Sequence, residues 1–264
     1  MFISHENNGV VFMTATEIQA RHAFSTRLGG VSEGPFASLN LSFSSGDRAE
    51  NVLENYRRLG AAVGIDPLRA AFTKQVHGRA VRIVTAEDKC APDTPAKTEC
   101  DALVTAERGL PLFCFTADCV PALLHDGVHG VAAAAHCGWR SSVADILGAV
   151  VEAMRSLGAR PEDIHAAFGP AIGKCCFETD GDVPDALRAY LGPDAEEFIR
   201  PGAREGKYLV DLRGANARRL VQLGVDARNI GISGECTMCN SEKYWSHRHV
   251  RGGRRGSQCA VITL

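Results

Sequence analysis

The chain has no long hydrophobic run, no surplus of charge of either sign, no fixed-period repeat and no low-complexity tract, and each absence removes a class of protein. Its most apolar stretch, Val128 to Ala135, contains His129 and Gly130 and falls far short of the 18 or more residues of a bilayer span. No membrane partner is expected. The 29 Lys and Arg stand against 31 Asp and Glu, a formal net charge of -2, which offers no broad attraction to a phosphate backbone. Nucleic acid is therefore not an expected partner, although the one basic cluster, Arg248 to Arg255 with Arg251 and Arg254, suits a small anion. Met1 to Val10 lack the basic start and apolar stretch of a secretory signal, so a cytoplasmic location is expected. With 45% apolar residues, 27 Gly and 11 Pro among 264 residues, the composition is globular, not disordered, fibrous or collagenous.

At this length roughly three quarters of the unfolded surface can be buried, so the core needs no covalent staples. Ten cysteines are nonetheless present, at positions 90, 100, 114, 119, 137, 175, 176, 236, 239 and 259. They show no repeated spacing and read as mostly reduced thiols of a cytosolic protein. Cys236 to Cys239 spell CTMC, a spacing that half of a zinc knuckle would also have. Cys175 and Cys176 are adjacent and are not expected to supply the other half. A redox role for CTMC is the weaker reading than structural thiols, because no helix start follows to lower a thiol pKa.

Short apolar runs alternate with amphipathic segments. Strands are expected over Val10–Ala15, Ala70–Val76, Ala80–Thr85, Asp101–Thr105, Leu112–Thr116, Val120–Leu124, Gly130–Ala135, Ile164–Phe168, Tyr208–Val210, Asn229–Ser233 and Cys259–Leu264. One helical face is shared by Val52, Tyr56, Leu59 and Val63, and another by Val143, Ile146, Leu147, Val150, Met154 and Leu157, with Gly64 and Gly158 at the expected stops. Leu212–Leu223 before Gly224 is a third helix, and Val183–Leu191 a weaker fourth. Lys89–Glu99, with Pro92 and Pro95, reads as a surface excursion within one domain. The interleaving implies an α/β chain with a mixed sheet.

Chemistry gathers where three of these runs end. AAFTKQV leads to His77, LFCFT leads through Ala117 and Asp118 to Cys119, and GVAAAA leads to His136. Active sites of open α/β sheets collect beyond the carboxyl ends of strands, so the three side chains converge if the strands are neighbours. Two imidazoles and a thiolate suit zinc and leave a fourth tetrahedral position open; copper is the second choice. Spacings of 42 and 17 residues are no zinc signature, so the residues alone leave a second reading open, in which His77 and His136 are structural and Cys119 is a buried thiol.

CGWRSSVADILGAVV moves through a glycine into a helix starting near Trp139 or Arg140, where backbone N–H groups, Arg140, Ser141 and Ser142 form a natural anion site. The competing reading makes Ser141 or Ser142 a simple cap and sends Arg140 to solvent. The loop from Ser25 to Ser42 holds Arg27, Gly29, Gly30, Gly34 and Asn40; it matches neither G-x-G-x-x-G nor the P-loop.

Read together, Phe24–Ser42 (FSTRLGGVSEGPFASLNLS), KQVHG, DALVT, FTADCVPALL, HCGWR, FGPAIGKCCFE, VDLRGAN and ECTMCN strongly resemble, over nearly the whole chain, the YfiH/YlmD laccase-domain family, also labelled peptidoglycan editing factor or multicopper polyphenol oxidoreductase. The resemblance implies a single α/β domain over 1–264 with mixed sheets layered between helices, in an αββα order. It implies zinc on His77, Cys119 and His136, with these residues also carrying the catalysis. Arg27, Asn40, Arg140 and Arg248 match family pocket residues. The implied activity is phosphorolysis of adenosine, inosine and methylthioadenosine, with adenosine deamination, so that purine nucleoside and phosphate are the expected partners. Two departures stand out: the family's Ala and Gly are replaced by Cys137 and Ser141, and its SYRR by SHRH at Ser246–His249.

In the phosphorylase reading, phosphate held near Arg140 attacks ribose C1' as the purine leaves; in deamination, metal-activated water attacks purine C6. One rival is copper-dependent polyphenol oxidation, which demands repeated H-x-H pairs, whereas nine histidines here give a single pair, His247 and His249. The other is a metal-free Cys-His hydrolase of peptidoglycan precursors, with Cys119 as nucleophile and His77 or His136 as base.

Overall fold

The apolar runs in the middle of the chain are buried on both faces, which demands cover on both sides of the strands they form. The computed structural model describes residues 1–94, 96 and 98–264. Its strands are β1 (Phe2–Asn7), β2 (Val10–Ala15), β3 (Arg21–Ser25), β4 (Val81–Ile83), β5 (Ala102–Thr105), β6 (Leu112–Thr116), β7 (Val120–Asp126), β8 (Val131–Cys137), β9 (Ile164–Phe168), β10 (Glu178–Thr179), β11 (Ile199–Pro201), β12 (Tyr208–Val210), β13 (Ile230–Ile232) and β14 (Gln258–Thr263). The helices are α1 (Ala49–Val63), α2 (Trp139–Val143), α3 (Ile146–Ser156), α4 (Asp182–Leu191), α5 (Leu212–Gln222) and α6 (His247–Val250).

A five-stranded antiparallel sheet, β1-β2-β3-β14-β6, faces a six-stranded mixed sheet, β13-β9-β7-β8-β5-β4, and β10-β12-β11 form a small third sheet. The period of two decides what each face meets. In β8, Ala132 and Ala134 join Leu103, Leu112, Cys114, Leu123 and Ile262 between the two large sheets. Val131, Ala133, Ala135 and Cys137 point the other way, onto α3 and into the core it shares with α4 and α5. Helix α1 covers the outer face of the five-stranded sheet through Val52, Tyr56, Leu59 and Val63. The layers therefore run helix, sheet, sheet, helix in one mixed α/β domain, as expected. Among the described residues no helix is long and apolar enough to cross a membrane, and all ten cysteines are free.

Several boundaries differ from the expectations. Ala70–Val76 is no continuous strand but makes isolated bridges, Ala70 to Cys90, Ala71 to Leu112 and Lys74 to Glu99. A side chain takes over the pairing there: Gln75 Nε2 donates to Phe115 O at 2.7 Å and its Oε1 accepts from Phe115 N at 2.7 Å. The expected single helix through Val143 and Leu157 is broken into α2 and α3, because Asp145 adopts a left-handed conformation (φ 65°) and caps α3 by accepting from Gly148 N. Arg219 then pairs with that carboxylate at 2.7 Å. β1 and β3 are strands that the expectations lack, and β8 extends far enough to include His136 and Cys137. Of the excursion at 89–99, Pro95 and Lys97 lie outside the described residues.

Candidate functional site

His77, Cys119 and His136 come together as expected, with donor atoms all within 4.8 Å of one another. The route differs from the expected one, since the three preceding segments are not neighbours in a single sheet. β6 belongs to the five-stranded sheet and β8 to the six-stranded one. The turn Ala117–Cys119 crosses from one sheet to the other and drops Cys119 at their shared edge. His136 lies on the same face of β8 as Ala132 and Ala134, so it points between the sheets toward that thiol, while Cys137 turns into the helical layer.

Two residues of the site hold left-handed backbone without being glycine, His77 (φ 59°) and Asp118 (φ 93°). Such positions are costly and persist only where the surroundings enforce them. Asp118 is held at both carboxylate oxygens, by Thr237 Oγ1 at 2.6 Å and Arg248 N at 2.6 Å, and its carbonyl accepts from Ile172 N at 2.9 Å. His77 is held by Asp101. That fully buried carboxylate accepts from the backbone N–H groups of Val76, His77 and Gly78 at 3.1, 2.9 and 2.8 Å. It also lies 2.8 Å from His136 Nδ1, and because a carboxylate only accepts, Nδ1 carries the proton and Nε2 is left as a donor atom for a metal. Burial opposes ionisation of Asp101, but the His136 bond and the Gly78 and Val76 N–H groups outweigh it and hold its pKa below the ordinary value.

The ligands tune one another. Burial works against a thiolate at Cys119, yet the contacts with His136 and His77 bring its pKa down to about 6. Burial likewise works against a charged His136, and the bond to Asp101 followed by the contact with Cys119 raises its pKa to about 9. His77 Nε2 stands 3.9 Å from Cys119 Sγ, and the two imidazoles meet edge to face at 4.8 Å. The backbone leaves room for this set alone: a Cβ on Gly138 would come within 2.9 Å of His77 Cδ2 and 3.3 Å of Cys119 Sγ. Donor types, spacing and the Asp101 support fit a metal ion with three protein ligands.

The triad lines a cavity of about 910 Å³, within the range of small-molecule sites. Phe43, Phe72 and Phe115 supply flat apolar walls; His247, Arg248 and Arg255 supply polar and cationic ones; and Pro92 to Thr94 make the 89–99 segment part of the lining. Of the expected pocket residues, Arg248 alone lines this cavity. Its Nη1 donates to Glu178 O at 2.9 Å. The Arg27 guanidinium stacks over Trp245 at 3.9 Å and is spent on Ala37 O and Ser241 O. Asn40 is fully buried and ties Ser42, Ser45, Asp47 and Ser257 together, which shapes the Leu41–Ser44 wall from behind. Arg140 is exposed and lies on the Trp139 ring at 4.4 Å, away from the cavity lining. α2 is only five residues long, and neither Ser141 nor Ser142 caps it.

Asp101 and Asp118 are the supporting residues that the sequence reading left without roles, whereas Arg255 ends the basic Arg248 to Arg255 segment expected to suit a small anion and does line the cavity. Asp101 shares a strand face with Leu103, and that alternation is the signal by which it was detectable. The exclusion of Cys175 and Cys176 as partners of the CTMC pair is also corrected. Gly173 starts a tight turn in which Cys176 N and Phe177 N both donate to Gly173 O, so adjacent thiols reach one point, 3.6 and 3.3 Å from Cys239 Sγ.

Residues 21–264 match the family model described as multi-copper polyphenol oxidoreductase laccase. A protein named purine nucleoside phosphorylase from Deinococcus radiodurans is 42% identical over 97% of this chain and 94% of its own. The crystal structure of YlmD from Geobacillus stearothermophilus superposes with a TM-score of 0.92 at 35% identity, covering 98% of this chain and 97% of that one. The Bacillus licheniformis hypothetical protein YfiH gives a TM-score of 0.91 at 30% identity, over 99% and 98% of the two chains.

Proposed function

The chain belongs to the family described as multi-copper polyphenol oxidoreductase laccase, and from that membership we propose that it is an enzyme, a purine nucleoside phosphorylase with zinc on His77, Cys119 and His136. The observation that carries the reading is three convergent ligands at the wall of an aromatic and cationic cavity. Three protein ligands leave a fourth position to an incoming oxygen, as catalytic zinc sites do. When bound, zinc supplies Lewis-acid polarisation of an oxygen at that position. Phe43, Phe72 and Phe115 offer their faces to the purine ring. Arg248 and Arg255 offer positive charge to phosphate, a task the sequence had placed on Arg140, and burial keeps the Arg255 guanidinium only partly solvated. In phosphorolysis a phosphate oxygen bonds to ribose C1' as the bond from C1' to the purine nitrogen breaks, so base and phosphate must lie on opposite sides of the sugar. Walls of opposite character suit that arrangement. Adenosine, inosine and methylthioadenosine are the proposed nucleosides.

Adenosine deamination is a second use of the same open position. A metal-free hydrolase with Cys119 as nucleophile is favoured by one observation, the convergence of the Cys119 thiol with two imidazoles, His77 Nε2 at 3.9 Å among them, contacts that favour its thiolate. Copper oxidation of polyphenols finds less support. Among the described residues the other histidine-bearing ligand group, Asp126, His129 and Asp163, sits at the end of β7 opposite Cys119.

Metal-quantified protein incubated with adenosine, with and without phosphate, tests these readings. Adenine released only with phosphate is expected, and on the order of a hundredfold or more of that rate should vanish with the metal in Cys119→Ala. Inosine would move the assignment to deamination. Full phosphate-dependent release by Cys119→Ala would sink the metal mechanism, and turnover that survives a chelator would point to the hydrolase.

A further inference from the structure

A second convergence lies outside the cavity. Cys175 and Cys176 follow β9, Cys236 and Cys239 follow β13, and the four sulfurs lie within 4.8 Å of one another. The chain brings the two segments together by its own pairing: Ala171 bridges Cys236 in parallel, and Thr237 N donates to Ala171 O at 3.0 Å. We propose that Cys175, Cys176, Cys236 and Cys239 form a tetrathiolate site for one zinc ion, separate from the His77, Cys119 and His136 centre.

The distances favour one ion. Sulfurs around a tetrahedral zinc at about 2.3 Å stand roughly 3.8 Å apart, and Cys239 already has neighbours at 3.3 and 3.6 Å. A disulfide would need about 2.05 Å and would leave two thiols without a partner. Soft thiolates in a set of four select zinc or iron, and this set is too tight to enclose a cluster of several irons.

The surroundings are built for thiolates. Cys236 Sγ accepts from Gly173 N at 3.2 Å. A Cβ on Gly173 would stand 3.2 Å from both Cys175 Sγ and Cys236 Cβ, and 3.3 Å from Arg213 Nη2, so glycine there lets the turn close on the sulfurs. Arg213 is buried, and its Nη1 is fixed by Ser233 O and Glu235 O. Its charge thus stands beside a zinc tetrathiolate, whose net charge is -2, and offsets part of it. Cys175 and Cys239 are exposed, which leaves a path for the ion.

Such a clip bears on the cavity without lining it. Thr237, inside the CTMC loop, holds Asp118 at 2.6 Å, next to Cys119. Ile172 and Phe177, on either side of the Cys175–Cys176 turn, line the cavity. The tetrathiolate residues are therefore positioning residues.

The full chain, purified with reductant, decides the matter by metal content and by spectroscopy. Wild type should hold about two zinc ions, Cys119→Ala one, and Cys236→Ser/Cys239→Ser one. The zinc absorption edge of Cys119→Ala should show a shell of sulfur alone near 2.3 Å, and that result stands even if the double variant fails to fold. Cys119→Ala without zinc, iron in its place, or a Cys239 disulfide persisting in reductant would each overturn the site. None of these outcomes depends on what the first centre catalyses.

Discussion

His77, Cys119 and His136 offer three donors at the wall of a large cavity, whereas Cys175, Cys176, Cys236 and Cys239 offer four near the surface and away from its lining. Three ligands leave a coordination position to a reactant; four close the shell. The supports differ in the matching sense. One thiolate and two imidazoles around a dication keep a positive charge, and the buried group behind them is the carboxylate of Asp101. Four thiolates around a dication are negative, and the buried group behind them is the guanidinium of Arg213. In both places the outer residue offsets the charge that the inner set would leave.

Exchanging or deleting the outer residues is the strongest way to break that contrast. Asp101→Ala removes the acceptor of three N–H groups and of His136, so metal affinity at the first centre should fall about 10- to 100-fold, with activity following. Zinc on the four cysteines should be retained. Equal loss from both sites, measured as zinc per chain during chelator titration, would mean that Asp101 supports the fold alone. The metal-free protein should also carry a pH signature. Asp101 has a lowered pKa, so its contribution is full above the unfolded value of about 3.9 and is lost as pH falls through the folded one. His136 has its pKa raised to about 9, so its contribution is full below the unfolded value of about 6.5 and is lost as pH climbs through 9. Cys119, its pKa lowered to about 6, adds stability as pH rises from there to its unfolded value of about 8.5 and offsets the His136 loss over that span. Thermal melts should therefore show one main flank, on the acid side, and Asp101→Ala should flatten it.

The two glycines sharpen the comparison at smaller cost. Gly138→Ala puts a methyl 2.9 Å from a ligand ring, and Gly173→Ala puts one 3.2 Å from a ligand sulfur. Overpacking of this kind costs about 1–3 kcal/mol, from about fivefold to about a hundredfold in affinity. The loss should fall on the first centre for Gly138→Ala and, more mildly, on the second for Gly173→Ala, as read by competition with a zinc-binding dye.

The sequence carried the first centre further than the second for a physical reason. The ends of apolar runs pointed to His77, Cys119 and His136, because a strand terminus is a local property of the sequence. The meeting of Cys175 and Cys176 with Cys239 depends on a turn at Gly173 and on a bridge between residues 171 and 236, neither of which leaves a local pattern. The same limit explains the pocket arginines. Arg140 sits in the first turn of a helix, as the sequence indicates, but its guanidinium rests on the Trp139 ring and not in the cavity. Arg255 was legible only as the end of the basic Arg248 to Arg255 cluster suited to a small anion, because its place in the cavity wall depends on the return of the chain into β14.

The subtlest expected difference is in thiol reactivity without metal. Alkylation requires the thiolate, and Cys119 ionises with a pKa of about 6, whereas burial and the neighbouring thiols push Cys175 and Cys176 above the ordinary range. A low pKa also makes a weaker nucleophile, with a Brønsted slope of about 0.4–0.5. At pH 7 the two effects nearly cancel against an ordinary thiol of pKa about 8.5, leaving Cys119 only about twofold faster; near pH 6 the advantage grows to about tenfold. Iodoacetamide labelling of metal-free protein, followed peptide by peptide in a mass spectrometer, should therefore give a midpoint near pH 6 at Cys119 and far slower labelling at Cys175 and Cys176. Zinc should protect all of them. A Cys119 midpoint near 8.5 would show that His136 and His77 do not stabilise its thiolate, and the electrostatic half of the contrast between the two sites would fall.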